Sequence, residues 1–180
     1  NTIDFFLLGT RGVLSLTPEK TSIENAYRFL RASVLRMLRS ISQHRGYQNV
    51  VRDAELDFAG GTDLKKLVRK LAEADPEAVS LDRVLRTLRV GIVLNQVWDL
   101  DELAVAEHVR TAARRHLMLA LRFYGPVRHE DVVPRALRRS KSPILDVLAN
   151  STIADDIEGV VDHIVRDADH AGATLGQGHS

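Results

Sequence analysis

LDRVLRTLRVGIVLNQVWDLDELAVAEHVRTAARRHLMLALRFY, residues 81–124, is the stretch on which the fold turns. Leu81, Val84, Leu85, Leu88 and Ile92 recur at helical spacing while Arg83, Arg86 and Arg89 face away, the pattern of an amphipathic helix. From Val90 onward the pattern changes. Val90, Ile92, Val93, Leu94, Val97 and Trp98 would point to all sides of a helix, which is tolerated only where other elements enclose it. The reading predicts a buried helix over 81–98 in preference to its rival, a strand over 90–97, because helical spacing leads into the run without Gly or Pro punctuation. Gly91 inside such a helix costs about 1 kcal/mol relative to Ala and suits a close neighbouring backbone. Asp99 and Glu102 have the spacing of a capping box, so a second central helix is expected over 100–124, closed by Gly125-Pro126.

The same signals extend outward in both directions. Residues 1–16 are apolar and irregular and read as a short strand or an extended N-terminal arm. Thr17-Pro18, with Thr21 and Glu24 at capping-box spacing, opens a long helix that ends near Arg45, with Tyr27, Leu30, Val34, Met37, Leu38 and Ile41 as its inner stripe. Helices are also expected over 48–58, from Thr62-Asp63, over 134–140 and 143–150, and from Thr152 to about His170. The sum is an all-α single-domain bundle of roughly six to eight helices. The arm spans 1–16, the helical domain 17–171 and a disordered tail 172–180. The chain opens at Asn1 rather than Met, so further sequence is expected around it.

A chain of 180 residues can bury a core of its own, and with 5% aromatic residues that core must be aliphatic. Without Cys, neither a disulfide framework nor thiol chemistry is available, and a reducing cytoplasm is the expected setting. Phe5-Phe6-Leu7-Leu8 is too short to span a membrane. Net charge is only +1, but its layout is uneven. Arg28, Arg31, Arg36, Arg39, Arg45 and Arg52 lie in a run, 25–52, that contains no acid, and Arg135, Arg138, Arg139 and Lys141 form a second basic segment. Past Pro143 the balance reverses, with Asp155, Asp156, Glu158, Asp162, Asp167 and Asp169 on the last helix.

Guanidinium groups aligned on a helix can track phosphates or carboxylates. Arg28, Arg31, Arg36 and Arg39, together with Arg135, Arg138, Arg139 and Lys141, are therefore the candidate anion-binding residues. They point to a non-enzymatic interaction or regulatory module, self-associating, whose partner is a nucleic acid or an acidic protein surface and whose acidic last helix can compete for the same Arg faces. A purely structural subunit is the other non-catalytic reading. His163, Asp167 and His170 share one helix face, but a single face seldom closes a metal site, so no metal and no cofactor is expected. The phosphate-loop, dinucleotide-glycine, His-Glu-x-x-His and Gly-x-Ser-x-Gly patterns do not occur.

Arg39-Ser-Ile-Ser-Gln-His44 and Arg110-Thr-Ala-Ala-Arg-Arg-His116 are spaced as Arg-x4-6-His. Each resembles, over those residues alone, the signature of the HEPN family of small all-helical ribonucleases. Ser40 and Thr111 stand where that family typically carries an amide-like residue. The resemblance implies Arg39 with His44, or Arg110 with His116, as an acid–base pair cleaving RNA. His116 itself aligns with the apolar side of its expected helix, which favours a buried, hydrogen-bonded role.

Overall fold

A computed structural model describes residues 2–9, 11–45, 64, 68–69, 73, 85, 88–131, 133–134, 138 and 151–175. The elements run in the order α1 (Thr2–Leu8), β1 (Gly12–Leu16), α2 (Lys20–Arg45), β2 (Val90–Val97), a short 3-10 helix (Leu100–Leu103), α3 (Ala104–Leu117), β3 (Leu121–Arg128) and α4 (Thr152–Leu175). The strands form a parallel sheet in the order β1-β2-β3. Gly12 N donates to Arg89 O at 2.9 Å where β1 and β2 begin, and His129 N donates to Val97 O at 2.9 Å where β2 and β3 end. Parallel neighbours need long crossovers. The segment holding α2 supplies the first, and the segment holding the 3-10 helix and α3 supplies the second.

This α/β architecture overturns the all-α bundle of six to eight helices. The run from Val90 to Val97 is the middle strand, and Val90, Gly91, Ile92, Val93 and Leu94 are all buried in succession. A parallel strand covered on both faces is apolar at consecutive positions, and periodicity cannot tell that pattern from an enclosed helix. The expected helix over 100–124 is also broken. The capping box forms as read, with Asp99 as N-cap and Glu102 closing it, but α3 stops at Leu117, Met118 turns the chain with φ 55°, and β3 follows. Buried Leu121, Tyr124 and Val127 in β3 are three apart, a helical interval rather than the two-residue alternation of an ordinary strand, and Gly125 within the strand takes φ +133°. Gly125-Pro126 thus lies inside a strand rather than past a helix end. Pro there fits a strand at one end of the sheet order, where a missing N–H donor is tolerated.

The chain divides into two compact units, residues 1–14, 19–91 and 107–122, and residues 15–18, 92–106 and 123–180. In the first unit the stretch read as an arm folds into α1 and the start of β1. Phe6 meets the Phe29 ring edge-on at 5.0 Å, and Gly12 admits it, since a Cβ there would fall 2.1 Å from the Phe6 ring. The long α2 helix forms with Leu30, Val34 and Leu38 of its expected stripe buried, but it starts at Lys20 rather than at Pro18, and its first bond runs from Ile23 N to Glu19 O at 3.1 Å, so Thr17 is not its cap. Leu64, Leu85, Ala113, Leu117 and Leu119 are further buried aliphatic residues of this unit. In the second unit Val93, Tyr124, Val127 and Val160 form a cluster against which Ile153, Ile157 and Ile164 of α4 pack. α4 continues to Leu175, five residues beyond its expected end. The helices expected over 48–58, most of those from 62 and over 134–140, and the one over 143–150 lie outside the described residues, as do positions 176–180 of the tail. Among the described residues no helix is long and apolar enough to cross a membrane.

Candidate functional site

In open parallel sheets ligands bind beyond the carboxyl ends of the strands, where the chain leaves each strand for its crossover. The carboxyl ends of β2 and β3 lie side by side, and the residue after each is aromatic. Trp98 and His129 stack with ring centroids 3.7 Å apart and planes 18° from parallel. One face of the indole lies on the imidazole, so its 69% exposure belongs to the opposite face and edge. An exposed indole at a strand end is a flat apolar surface of the kind that planar rings stack on.

The backbone around this pair is held on both strands. Gln96 takes φ 57°, a conformation that costs a non-glycine residue about 1–2 kcal/mol, and its N–H donates to Asn95 Oδ1 at 2.9 Å. The next turn is fixed by Glu102, whose Oε2 accepts from Trp98 N at 2.7 Å and from Asp99 N at 3.3 Å, while Asp99 Oδ1 accepts from Asp101 N at 3.2 Å. On the β3 side His129 Nε2 donates to Asp131 Oδ1 at 3.2 Å. Its two neighbours anchor the strand end to α4. Arg128 grips Asp156 with its backbone N–H at 2.8 Å, Nε at 2.9 Å and a terminal nitrogen at 2.6 Å. Glu130 Oε1 accepts from Ile153 N at 3.1 Å in the first turn of α4.

Burial pushes the Asp156 carboxyl up, but the Arg128 hydrogen bonds and charge outweigh it and hold Asp156 below the ordinary carboxylate value. The same bond raises Arg128 against a smaller desolvation effect. Further along α4, Tyr124 OH donates to the buried Asp167 at 2.8 Å, and His163 Nδ1 donates to Tyr124 O at 2.7 Å. His163 and Asp167, weighed above as metal ligands, are thus joined to β3, and the side chain of His170 lies outside the described residues.

The expected anion-binding residues are distributed differently. Arg28, Arg36 and Arg39 are exposed on α2 and Arg31 is half-buried. Arg36 Nε reaches Asp4 of α1 at 2.8 Å and Arg28 lies 3.9 Å from Glu24, so the protein's own carboxylates already face part of this surface. Arg31 and Arg39 are engaged as well. Arg138 is exposed, and Arg135, Arg139 and Lys141 lie outside the described residues. The Arg39–His44 pairing also lies outside them, because the His44 side chain does. Arg110 donates through Nε to Leu121 O at 3.1 Å and through a terminal nitrogen to Glu107 at 2.7 Å. His116 is exposed at the end of α3, which corrects its expected burial: the apolar stripe it was aligned with presumed a helix continuing through Phe123. The likeness to helical ribonucleases implied an all-helical scaffold, and the sheet departs from that scaffold.

The sequence places Trp98 in the enclosed apolar run and Asp99 in a capping box and gives no signal at His129; Trp98 is instead exposed, because it lies just past the end of β2. The available signal was the single Trp of the chain standing one residue before a capping box. No protein-family model matches the sequence, and no curated protein is significantly similar to it.

Proposed function

We propose that the chain is a non-enzymatic α/β binding and regulatory module that takes a planar aromatic group, of the nucleobase type, at the carboxyl edge of its sheet. The observation that carries this reading is the exposed Trp98–His129 stack at the ends of adjacent parallel strands. Stacking on an aromatic side chain is worth about 1–3 kcal/mol per base and tolerates any base identity, because every base has a π face. The neighbouring carboxylates Asp99, Asp101, Glu102 and Asp131 disfavour an anion on the platform itself, so a phosphate carried by the ligand would lie away from it. A cytoplasmic setting belongs to the same reading.

Trp98 is the sole indole, so its fluorescence reports on this site directly. Titration with adenosine, AMP and a short single-stranded oligonucleotide should quench it saturably, and Trp98→Ala or His129→Ala should remove ligand binding measured by calorimetry. Fluorescence unchanged by all three probes would overturn the reading.

A second surface supports binding of an anionic partner. Past Asn25, α2 carries Arg28, Arg31, Arg36 and Arg39 with no acid in the helix, and three of the four are exposed. Contacts of this kind are salt-dependent. Retention on heparin that falls steeply with salt, and weakens in Arg28→Ala with Arg39→Ala, is the expected result. Absence of retention at low salt removes this part of the proposal, and a stable assembly with neither property would mark a structural subunit instead.

A further inference from the structure

The acidic last helix presents more than charge. Val161 and Val165 of α4 are 50% and 51% exposed and stand one turn apart. At about 100° per residue, Glu158, Asp162, Asp169 and Asp155 fall immediately beside them, on the side away from the buried Ile157, Val160 and Ile164 stripe. All four carboxylate residues are exposed. Asp162 reaches Arg166 of its own helix at 3.3 Å, but with both side chains about two-thirds exposed such a pair is weak and exchangeable.

The α1–α2 surface offers the opposite charge with the same apolar element. Arg28, Arg39 and Arg36 fall within about 80° of one another on the α2 wheel. Asp4 of α1 holds Arg36, and Phe5 and Leu8 of that same short helix are 76% and 81% exposed. Two large apolar side chains beside a row of cations on one surface, and two beside a row of carboxylates on another, supply the apolar centre and polar rim of a protein interface with complementary charge.

We propose that the occupant of the α1–α2 surface is the α4 face of a second copy of this chain. The proposal rests on the Arg-face reading above and names its partner. Because the two surfaces differ, the contact is heterologous. Copies therefore close into a symmetric ring, two copies included, or extend into a chain.

The full chain should scatter light with a mass above its 20.1 kDa monomer at low salt and return to the monomer at high salt. Glu158→Arg with Asp162→Arg in one variant, and Arg28→Glu with Arg39→Glu in another, should each be monomeric. Mixing the two variants should restore a complex, an outcome that misfolding of either cannot imitate. A monomeric wild type at low salt, charge-reversed variants that assemble as wild type does, or folded variants that fail to associate on mixing would each overturn the proposal. Heparin retention separates this failure from that of the Arg-face reading: a monomer that still binds heparin keeps the basic surface and loses only the second copy.

Discussion

β2 and β3 are neighbours of equal length built on opposite rules. β2 is the middle strand, buried at five consecutive positions before Asn95, and its sequence is almost uniformly apolar. β3 stands at the end of the strand order, exposes Arg122 and Arg128, and accommodates Gly125 and Pro126 within it. The middle strand is held by aliphatic burial, whereas the end strand adds polar bonds to α4, Arg128–Asp156 and Tyr124–Asp167, to the apolar packing of Tyr124 and Val127. The lesson is that a middle strand can rely on burial alone while an end strand of the same sheet adds charge and hydrogen bonds to its packing, and the Trp98–His129 stack draws one ring from beyond the end of each.

Four perturbations break or sharpen this contrast. The largest is Leu94→Ala in β2, a fully buried leucine, which should cost about 2–5 kcal/mol in denaturant unfolding. A cost near that of an exposed leucine would show that the middle strand is not the core element. Next, Gly125→Ala in β3 forces a methyl-bearing residue into φ +133° and should cost about 1–3 kcal/mol. Wild-type stability in that variant would place β3 in another backbone conformation.

Tyr124→Phe tests the polar seam, since it leaves Asp167 without its hydroxyl donor, and about 1–3 kcal/mol should be lost. The smallest and most specific effect is on pH dependence. Asp156 is depressed in the folded protein, so its contribution is present above the ordinary aspartate value of 3.8 and fades as pH falls through the lower folded value. Asp156→Asn should therefore be less stable than wild type at neutral pH, with the gap narrowing on acidification below that value. A gap independent of pH would mean that the Arg128 bond carries no charge term.

The candidate site was only partly legible. The capping box at Asp99 and Glu102 was readable because it is a local bond between residues three apart, and it formed as written. Its consequence was not readable, because a cap positions Trp98 without saying what lies next to it. His129 is 31 residues further along, and only the pairing of parallel strands brings the two rings together. The Arg row on α2 was equally plain in the sequence, whereas its facing carboxylate, Asp4, comes from a helix that the irregular N-terminal stretch did not announce.

Sequence by itself determined what is local: the inner stripe of α2, the amphipathic α4, the Asp99 turn, and the separation of a basic body from an acidic last helix. Tertiary structure alone decided between strand and helix for residues 90–97 and 121–128. An apolar residue enclosed on all sides leaves the same mark on the sequence whether its backbone bonds close along the chain or across to a neighbouring strand. Which of the two occurs depends on residues distant in the chain, and the Trp98–His129 platform exists only because the bonds run across.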